Sequence, residues 1–390
     1  MSMNYSAQES GRPQPQTTIE PAQAGSPFIR YSQPGRAPQY VVSGSTLGAT
    51  ITQPLVARPG YARQLRITQQ LYSTGSNGGT LVADGMPAVN SLVQCRDAFG
   101  TPLLVVDGWS AAVAIPFVAG SLGVLNGTNN YQNLPSYSAY SNSGTSGSLA
   151  GQFSFSVPFE ATTGVGTLSM ANASLLPTLQ FNLNSSTGLL GSSGTTNAPT
   201  VTTNVELDYY WLPEGSPDIT PPGLGTTRQY QLTNLNPTLA SGTSARLQAP
   251  RTGGYLDNLT FIFRDSTGAR SDAPINQNGR LQLYVDGVPL SDSSYWSIID
   301  DEAIAYGASS AVSNARPTGL LSYCRKTSLG QVSMGKFDSS ESLLSTNPST
   351  LIELLQSPWG TFTNTPATVQ ALFGQIVPTG QIIQGLPEVG

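Results

Sequence analysis

The 390-residue chain has no histidine, two cysteines and only two lysines, Lys326 and Lys336. Without histidine, no Ser-His-Asp or Cys-His nucleophile system can be built, and the commonest transition-metal ligand is missing. Charged residues make up 10% of the chain, against a usual share of about 25%. No lysine or arginine lies between Arg96 and Arg228, and from Gly108 to Asn204 the only charged residue is Glu160. Binding nucleic acid requires clustered cations that displace counterions from phosphates. A net charge of −5 without a basic cluster excludes direct nucleic-acid binding as the main role. No run of 18 apolar residues predicts a membrane-spanning helix. No charged-then-apolar leader opens the chain, so folding and assembly in a cytoplasm are expected. Cys95 and Cys324 sit in strand-like runs of opposite halves; a lone pair that far apart makes no disulfide framework, and buried free thiols are expected. No Gly-x-x-x-x-Gly-Lys-Ser/Thr phosphate loop occurs, and Gly164-Val-Gly166 and Gly223-Leu-Gly225 lack the third glycine of a dinucleotide fingerprint.

What the chain has instead is turn chemistry. Glycine numbers 41 and proline 29, the composition of many short strands joined by tight turns. Free monomers normally carry dense mixed charge outside. A surface so poor in charge reads as one buried against other subunits, because interface cores are depleted in charge.

One pattern occurs twice. Residues 91–108 run from Ser91-Leu-Val-Gln-Cys-Arg96-Asp97 through Gly100 to Val106-Asp107-Gly108. Residues 259–287 run from Leu259-Thr-Phe-Ile-Phe-Arg264-Asp265 through Gly268 to Val285-Asp286-Gly287. Each is a strand-like run ending in Arg-Asp, a glycine turn, and a second run ending in Asp-Gly. Such doubling predicts two β modules of one kind.

The chain divides accordingly. Residues 1–36, rich in Gln, Pro, Ser and Gly, read as a flexible N-terminal arm that cannot fold alone, with Phe28, Ile29 and Tyr31 able to anchor its end. Residues 37–213 form the first β region. Its strand candidates are Tyr40–Val42, Ala49–Ile51, Arg63–Thr68, Phe153–Val157, Leu179–Asn184 and Val205–Trp211, several with the period-2 alternation of a half-buried strand. Within it, residues 120–150 are a long loop insertion rich in Tyr, Ser, Gly and Asn, read as an ordered contact surface. Residues 214–227, dense in Pro and Gly, are a linker. Residues 228–356 form the second β region, with strands at Arg228–Leu235, Ala245–Gln248, Leu320–Arg325 and Gly330–Met334. Leu351–Leu355 fits a strand or a short helix. Trp296–Tyr306 is the best helix candidate, with Asp300, Asp301 and Glu302 near its start and Gly307 ending it. Residues 357–390 read as a C-terminal tail in which Ala367–Ile376 fits one amphipathic helix.

No catalytic, cofactor-binding or metal site emerges, and no enzyme is expected. Asp300, Asp301 and Glu302 lack Ca²⁺-loop spacing and read as favourable charges at a helix start. Asp265-Ser-Thr-Gly268 is one residue too long for an aspartic-protease turn, and Asp97-Ala-Phe-Gly100 has no hydroxyl there. Asp97 and Asp265 read as turn formers accepting backbone N–H bonds. Glu160 and Glu206 are available as paired acids for sugar hydrolysis, but nothing singles them out.

Two eight-strand-sized β modules in tandem, with terminal arms and long loops, resemble the double jelly-roll major capsid proteins of tailless internal-membrane (tectivirus-like) bacteriophages. The resemblance covers residues 37–356. It is carried by Leu92–Asp97 leading to Asp107-Gly-Trp109, by Leu207-Asp-Tyr-Tyr-Trp-Leu-Pro213, and by Gly319-Leu-Leu-Ser-Tyr-Cys324-Arg. It implies an all-β fold of two eight-stranded jelly rolls with short helices and extended terminal arms. It also implies a homotrimer forming a pseudo-hexagonal capsomer of an icosahedral virion shell. The partners implied are neighbouring capsomers, a penton (vertex) protein, and an internal membrane or its proteins reached by the N-terminal arm. The alternative from another class is a receptor- or carbohydrate-binding β-sandwich spike or lectin, with Tyr131, Tyr137 and Tyr140 stacking on sugars.

Overall fold

The computed structural model describes residues 27–73, 81–118, 141–142, 149–160, 166–190, 199–216, 219–221, 226–249, 254–306, 317–323, 344–346 and 349–378. The first half holds strands β1 (Gln33–Thr46), β2 (Thr50–Pro54), β3 (Tyr61–Ser73), β4 (Asn90–Arg96), β5 (Pro102–Val106), β6 (Ser141–Asn142), β7 (Leu149–Pro158), β8 (Leu168–Ser169), β9 (Thr178–Leu183) and β10 (Thr200–Trp211). The second half holds β11 (Thr226–Asn234), β12 (Ala245–Gln248), β13 (Gly254–Arg264), β14 (Arg280–Val285), β15 (Val288–Ser294), β16 (Leu320–Tyr323), β17 (Leu344–Thr346), β18 (Ile352–Gln356) and β19 (Thr368–Pro378). Among the described residues four α-helices accompany them: α1 (Pro27–Tyr31), α2 (Ile115–Val118), α3 (Ser186–Leu190) and α4 (Tyr295–Tyr306).

Both halves have the same topology. One sheet of the first half runs β1-β10-β3-β7, extended by β6 and β8, and the other runs β5-β4-β9-β2. In the second half the order β11-β19-β13-β16, with β17 beside β13, matches the first of these, and β15-β14-β18-β12 matches the second. Strand for strand, the eight-stranded sandwich occurs twice. β5 and β11 pair in parallel through Tyr230↔Leu104 and Gln231↔Val105. That bridge fuses one sheet from each sandwich into a single sheet of nine strands.

Alternation sends Leu65, Ile67 and Leu71 of β3, Phe153, Phe155 and Val157 of β7, and Val201, Val205 and Leu207 of β10 into the first core. The second core is built on Phe261, Phe263, Leu281, Leu283, Leu354, Trp359 and Phe373. At the chain's entry Phe28 is fully buried, edge-on to Tyr61 and Tyr210 at 5.4 and 5.5 Å.

Several sequence expectations need correction. β1 begins at Gln33, inside the expected arm of residues 1–36, and β11 begins at Thr226, inside the expected linker. Ala367–Ile376 is not a helix: Thr368–Pro378 is strand β19, bonded to β11 on one side and β13 on the other. Its apolar run fits either period, and two sheet neighbours decide the matter, since a strand there buries Ala371 and Phe373 on one face and Leu372 on the other. Leu351–Leu355 resolves to strand β18. α4 starts at Tyr295, so Asp300, Asp301 and Glu302 lie in its middle and its first turn carries no acid. Within the insertion 120–150, Ser141–Asn142 and the start of β7 are strand. The rest of that insertion, the strand expected at Gly330–Met334, and Gly307 lie outside the described residues.

The repeated sequence pattern also changes meaning. In the first half it spans the β4–β5 hairpin. In the second it starts on β13, the counterpart of β3, and ends at the β14–β15 hairpin. The two Arg-Asp copies are therefore one turn design used at non-equivalent places. In both, the aspartate carboxylate accepts backbone N–H bonds, from Phe99 and Thr101 at Asp97 and from Thr267 and Ala269 at Asp265. In both, the arginine donates to the carbonyl of the turn glycine, Gly100 at 2.9 Å or Gly268 at 3.1 Å.

Candidate functional site: the seam between the sandwiches

The sheet β11-β19-β13-β16 is covered on both faces. On β13, Leu259, Phe261 and Phe263 enter the second core, while Ile262 joins the first core together with Tyr230 of β11, Leu320 of β16 and Leu372 of β19. Strands covered on both sides read as unbroken apolar runs rather than alternating ones, which explains Leu259-Thr-Phe-Ile-Phe263 and Leu320-Leu321. Complete burial of Ile262, Leu320 and Leu372 contributes about 1.5–3 kcal/mol each. Between them a buried hydroxyl-amide set closes on itself: Thr260 Oγ1 donates to Asn258 Oδ1 at 2.8 Å and lies 2.9 Å from Ser322 Oγ.

One end of the seam is ionic. Arg264, the next residue on the seam-facing side of β13 after Ile262, donates from Nη1 to Asp84 Oδ2 at 2.6 Å and from Nη2 to Asp107 Oδ2 at 3.1 Å. Its Nε donates to Gln370 Oε1 at 2.9 Å. Arg270 donates from Nε to the other oxygen of Asp84 at 2.7 Å. Both guanidinium groups lie over Trp109, at 4.3 Å for Arg270 and 5.8 Å for Arg264, a cation–π arrangement. Side-chain exposure is 3% for Arg270 and 12% for Arg264. Burial acts to lower the Arg264 pKa, but Asp107 and Asp84 outweigh it and the net shift is upward. At Arg270 burial prevails and the net shift is downward, although Asp84 opposes it. Two cations facing two carboxylates leave the cluster formally neutral, the condition under which buried charge is tolerated.

Asp107 has a second task. Its Oδ1 accepts the Ser110 backbone N–H at 2.6 Å, capping the helical segment 108–118, whose residues from Ser110 to Ile115 are all buried. Gly108 follows because a Cβ there would sit 2.0 Å from the Pro87 carbonyl oxygen.

The remaining candidate residues are dispersed. Glu160 is held by Arg63 at 2.8 Å and by the Tyr210 hydroxyl at 3.0 Å. Glu206 lies on the outward-facing side of β10, opposite Arg66. The structure pairs Glu160 with a cation, not with Glu206. Glu302 is buried and accepts the Ser322 backbone N–H. Burial and the neighbouring Asp300 push Asp301 upward. Among the described residues, no group of three or more Cys, Asp or Glu side chains is placed to hold a metal ion, and no helix is long and apolar enough to cross a membrane. Cys95 is a buried free thiol whose pKa burial, aided by Asp97, pushes up to about 12. Cys324, Lys326, Lys336, Tyr131, Tyr137 and Tyr140 lie outside the described residues. Sequence reasoning missed the seam's Asp84 and Arg270 altogether. The one available signal was the loss of alternation at Leu259–Phe263.

No family model matches the chain, and no curated protein matches it in sequence. Solved structures do match. The STIV MCP is similar with a TM-score of 0.60 at 13% identity, over 91% of this chain and 100% of that one. PBCV-1 VP54, fitted into the virophage Sputnik, is similar with a TM-score of 0.59 at 13% identity, over 88% and 93%. The atomic structure of Sulfolobus Turreted Icosahedral Virus gives 0.59 at 13% identity, over 91% and 94%. At these identities the likeness concerns the fold, which is the double jelly roll found in viral major capsid proteins.

Proposed function

We propose that this chain is a structural shell subunit without catalytic activity. It is a major capsid protein that forms trimeric, pseudo-hexagonal capsomers tiling an icosahedral virion. The observation that carries this reading is the strand-for-strand duplication of the sandwich together with the buried seam. Two like blocks fixed side by side in one chain give three copies a six-block outline. The low charge of the chain supports it, because such a subunit covers much of its surface with neighbours. The double jelly-roll fold shared with the STIV MCP and with PBCV-1 VP54 supports it too.

The division into a first block of residues 33–213 and a second of residues 226–378, with 214–225 between them, belongs to this proposal. So do adjacent capsomers, a penton protein at the vertices, and an internal membrane reached by the N-terminal arm ahead of β1 as partners. Native mass spectrometry tests the core of it. The expected species is a trimer of the 40.8 kDa chain, present in hundreds of copies in purified particles. A stable monomer at micromolar concentration overturns it.

A further inference from the structure

One end of the first sandwich carries a row of apolar side chains that stay exposed among the described residues. Arg96 of β4, Thr178 of β9 and Pro54 of β2 pair in one line across three neighbouring strands. Phe99 stands three residues past Arg96 in the β4–β5 turn, Leu175 three residues before Thr178, and Val56 two residues past Pro54. The three therefore sit side by side at the end of the sheet, one strand spacing of about 4.8 Å after another. Phe99 is 65% exposed, and Val56 and Leu175 are 45% exposed each. Single exposed apolar groups are ordinary, but a row of them marks a contact surface.

The fold delivers a segment of the same chain to this place. Leu104 of β5, Tyr230 of β11 and Gly374 of β19 share one line across the sheet. From that line toward the row, Pro102 lies two residues on and Pro378, the last residue of β19, four residues on. Four residues of strand are about 13 Å, which brings Pro378 level with the β4–β5 turn. Only β11 stands between β19 and β5, so the sideways step to β5 is about 10 Å. Residues 379–390 follow, as Thr-Gly-Gln-Ile382-Ile383-Gln-Gly-Leu386-Pro387-Glu388-Val389-Gly, with Glu388 their one charge. Extended, a segment of this length spans about 40 Å, whereas crossing from β19 to β2 takes about 24 Å. At about 3.3 Å per residue, Ile382 falls about 13 Å along that path and Leu386 about 26 Å, beside Phe99 and Val56. Ile382 and Leu386 share one face of an extended segment, and Pro387 favours extended backbone at Leu386. Residues 1–26 approach the same end, but Met1, Met3, Tyr5 and Ile19 are their only large apolar residues.

We propose that residues 379–390 lie across this end of the first sandwich of their own chain, with Ile382 against Phe99 and Leu386 against Val56 and Leu175. A segment tethered this close meets the surface at an effective concentration on the order of millimolar, so a few apolar contacts suffice to hold it. Docking closes an apolar surface that would otherwise favour self-association. The contact is made within one chain and does not depend on the number of copies in a capsomer.

The test is the accessibility of a thiol placed in the row. Leu175→Cys is labelled with a maleimide in the full chain, alone and combined with Ile382→Asp/Leu386→Asp, with the unmodified chain as the baseline for Cys95 and Cys324. Labelling is expected to run several-fold faster in the combined variant. Tyr72→Cys, at the opposite end of β3 and also exposed, is expected to label at one rate in both backgrounds. Equal rates at Leu175→Cys overturn the proposal. A rise at both positions means that the aspartates loosen the whole chain, and overturns it too. Protection that disappears on dilution means that a second copy supplies the segment, and overturns docking within one chain. Flotation with phosphatidylglycerol–phosphatidylcholine vesicles separates a lipid occupant. Vesicle binding lost in Phe99→Ser and kept in Ile382→Asp/Leu386→Asp assigns the row to a membrane and overturns the proposal.

Discussion

Arg264 and Asp107 lie 157 residues apart in the chain, one in each sandwich, and meet with Nη2 3.1 Å from Oδ2. Asp84 completes the contact by giving one carboxylate oxygen to Arg264 and the other to Arg270. The second sandwich thus presents two cations to two carboxylates of the first. Directional bonds fix the sliding and rotation that an apolar seam alone would permit.

Removing one partner of a buried charge pair leaves the other uncompensated. Asp84→Asn should therefore destabilise the chain by about 3–5 kcal/mol, since Arg270 has only 3% of its side chain exposed. Asp84 belongs to the first half while both arginines belong to the second, so the loss falls on the coupling between them. Denaturant unfolding should show a lower midpoint and, in calorimetry, one transition dividing into two. An unchanged midpoint would remove the cluster from any role in holding the seam.

Ile262 and Phe261 are adjacent on β13 and both fully buried, but they face different cores. Truncation of either to alanine should cost about 2–5 kcal/mol. Only Ile262→Ala should also loosen the first half, because its side chain packs there. Amide exchange read along β4 and β5 separates the two: faster exchange is expected in Ile262→Ala and not in Phe261→Ala. Equal effects would mean that the sandwiches unfold as one unit whichever side is weakened.

Most strands were legible because a half-buried strand writes its burial into the sequence. Phe153-Ser-Phe-Ser-Val157 and Leu179-Gln-Phe-Asn-Leu183 alternate, and both are strands. Legibility fails where one strand serves two cores. β19 has no clean alternation because Leu372 is needed on one face while Ala371 and Phe373 are needed on the other, and helical spacing fitted it as well. The repeated Arg-Asp pattern misled in its details while pointing to the right architecture. A four-residue aspartate turn is a local solution that recurs wherever a strand must reverse, so its recurrence does not register one sandwich against the other. The seam cluster could not be read at all, since nothing near Asp84 in the sequence announces two arginines about 180 residues away.

Acid should weaken the outer sheet of the first sandwich through Asp208. Burial alone would raise the pKa of this carboxylate, but bonds from Arg36 and Arg66, and one from Gln64, reverse the sign and hold it below its ordinary value. A carboxylate whose folded pKa is depressed adds stability above its unfolded value, near pH 4, and that contribution is lost as pH falls through the lower folded value. At Asp265 burial again acts to raise the pKa, but hydrogen bonds from Thr267, Asn364 and Ala269 together hold it below its ordinary value, so it acts in the same direction. The urea midpoint should fall from pH 5 to pH 2.5, and Asp208→Asn should be weaker at pH 7 with a shallower fall. Arg36 and Arg66 have about half of their side chains exposed, so added salt should reduce the difference at pH 7. A pH profile identical to that of the unmodified chain would show that Asp208 titrates alike folded and unfolded.

Two glycines next to the shared turn motif should answer the same substitution differently. Gly268 has φ of 82° and open space where a Cβ would stand. Gly268→Ala then meets only the left-handed backbone penalty, about 1–2 kcal/mol. At Gly108 the obstacle is solid: an added Cβ would stand 2.0 Å from the Pro87 carbonyl oxygen and 2.9 Å from that of Asn90. Neither atom is the end of a flexible side chain, so the strand start at Asn90 or the helical segment capped by Asp107 has to move. Moving that segment also pulls Asp107 from Arg264. Gly108→Ala should therefore cost more than about 4 kcal/mol, the range that single substitutions reach only when packing and a buried polar network fail together. Soluble yield and melting temperature of the two variants, compared side by side, decide it. A Gly108→Ala chain as stable as Gly268→Ala would mean that the backbone at the seam yields easily and that the seam is not a rigid element.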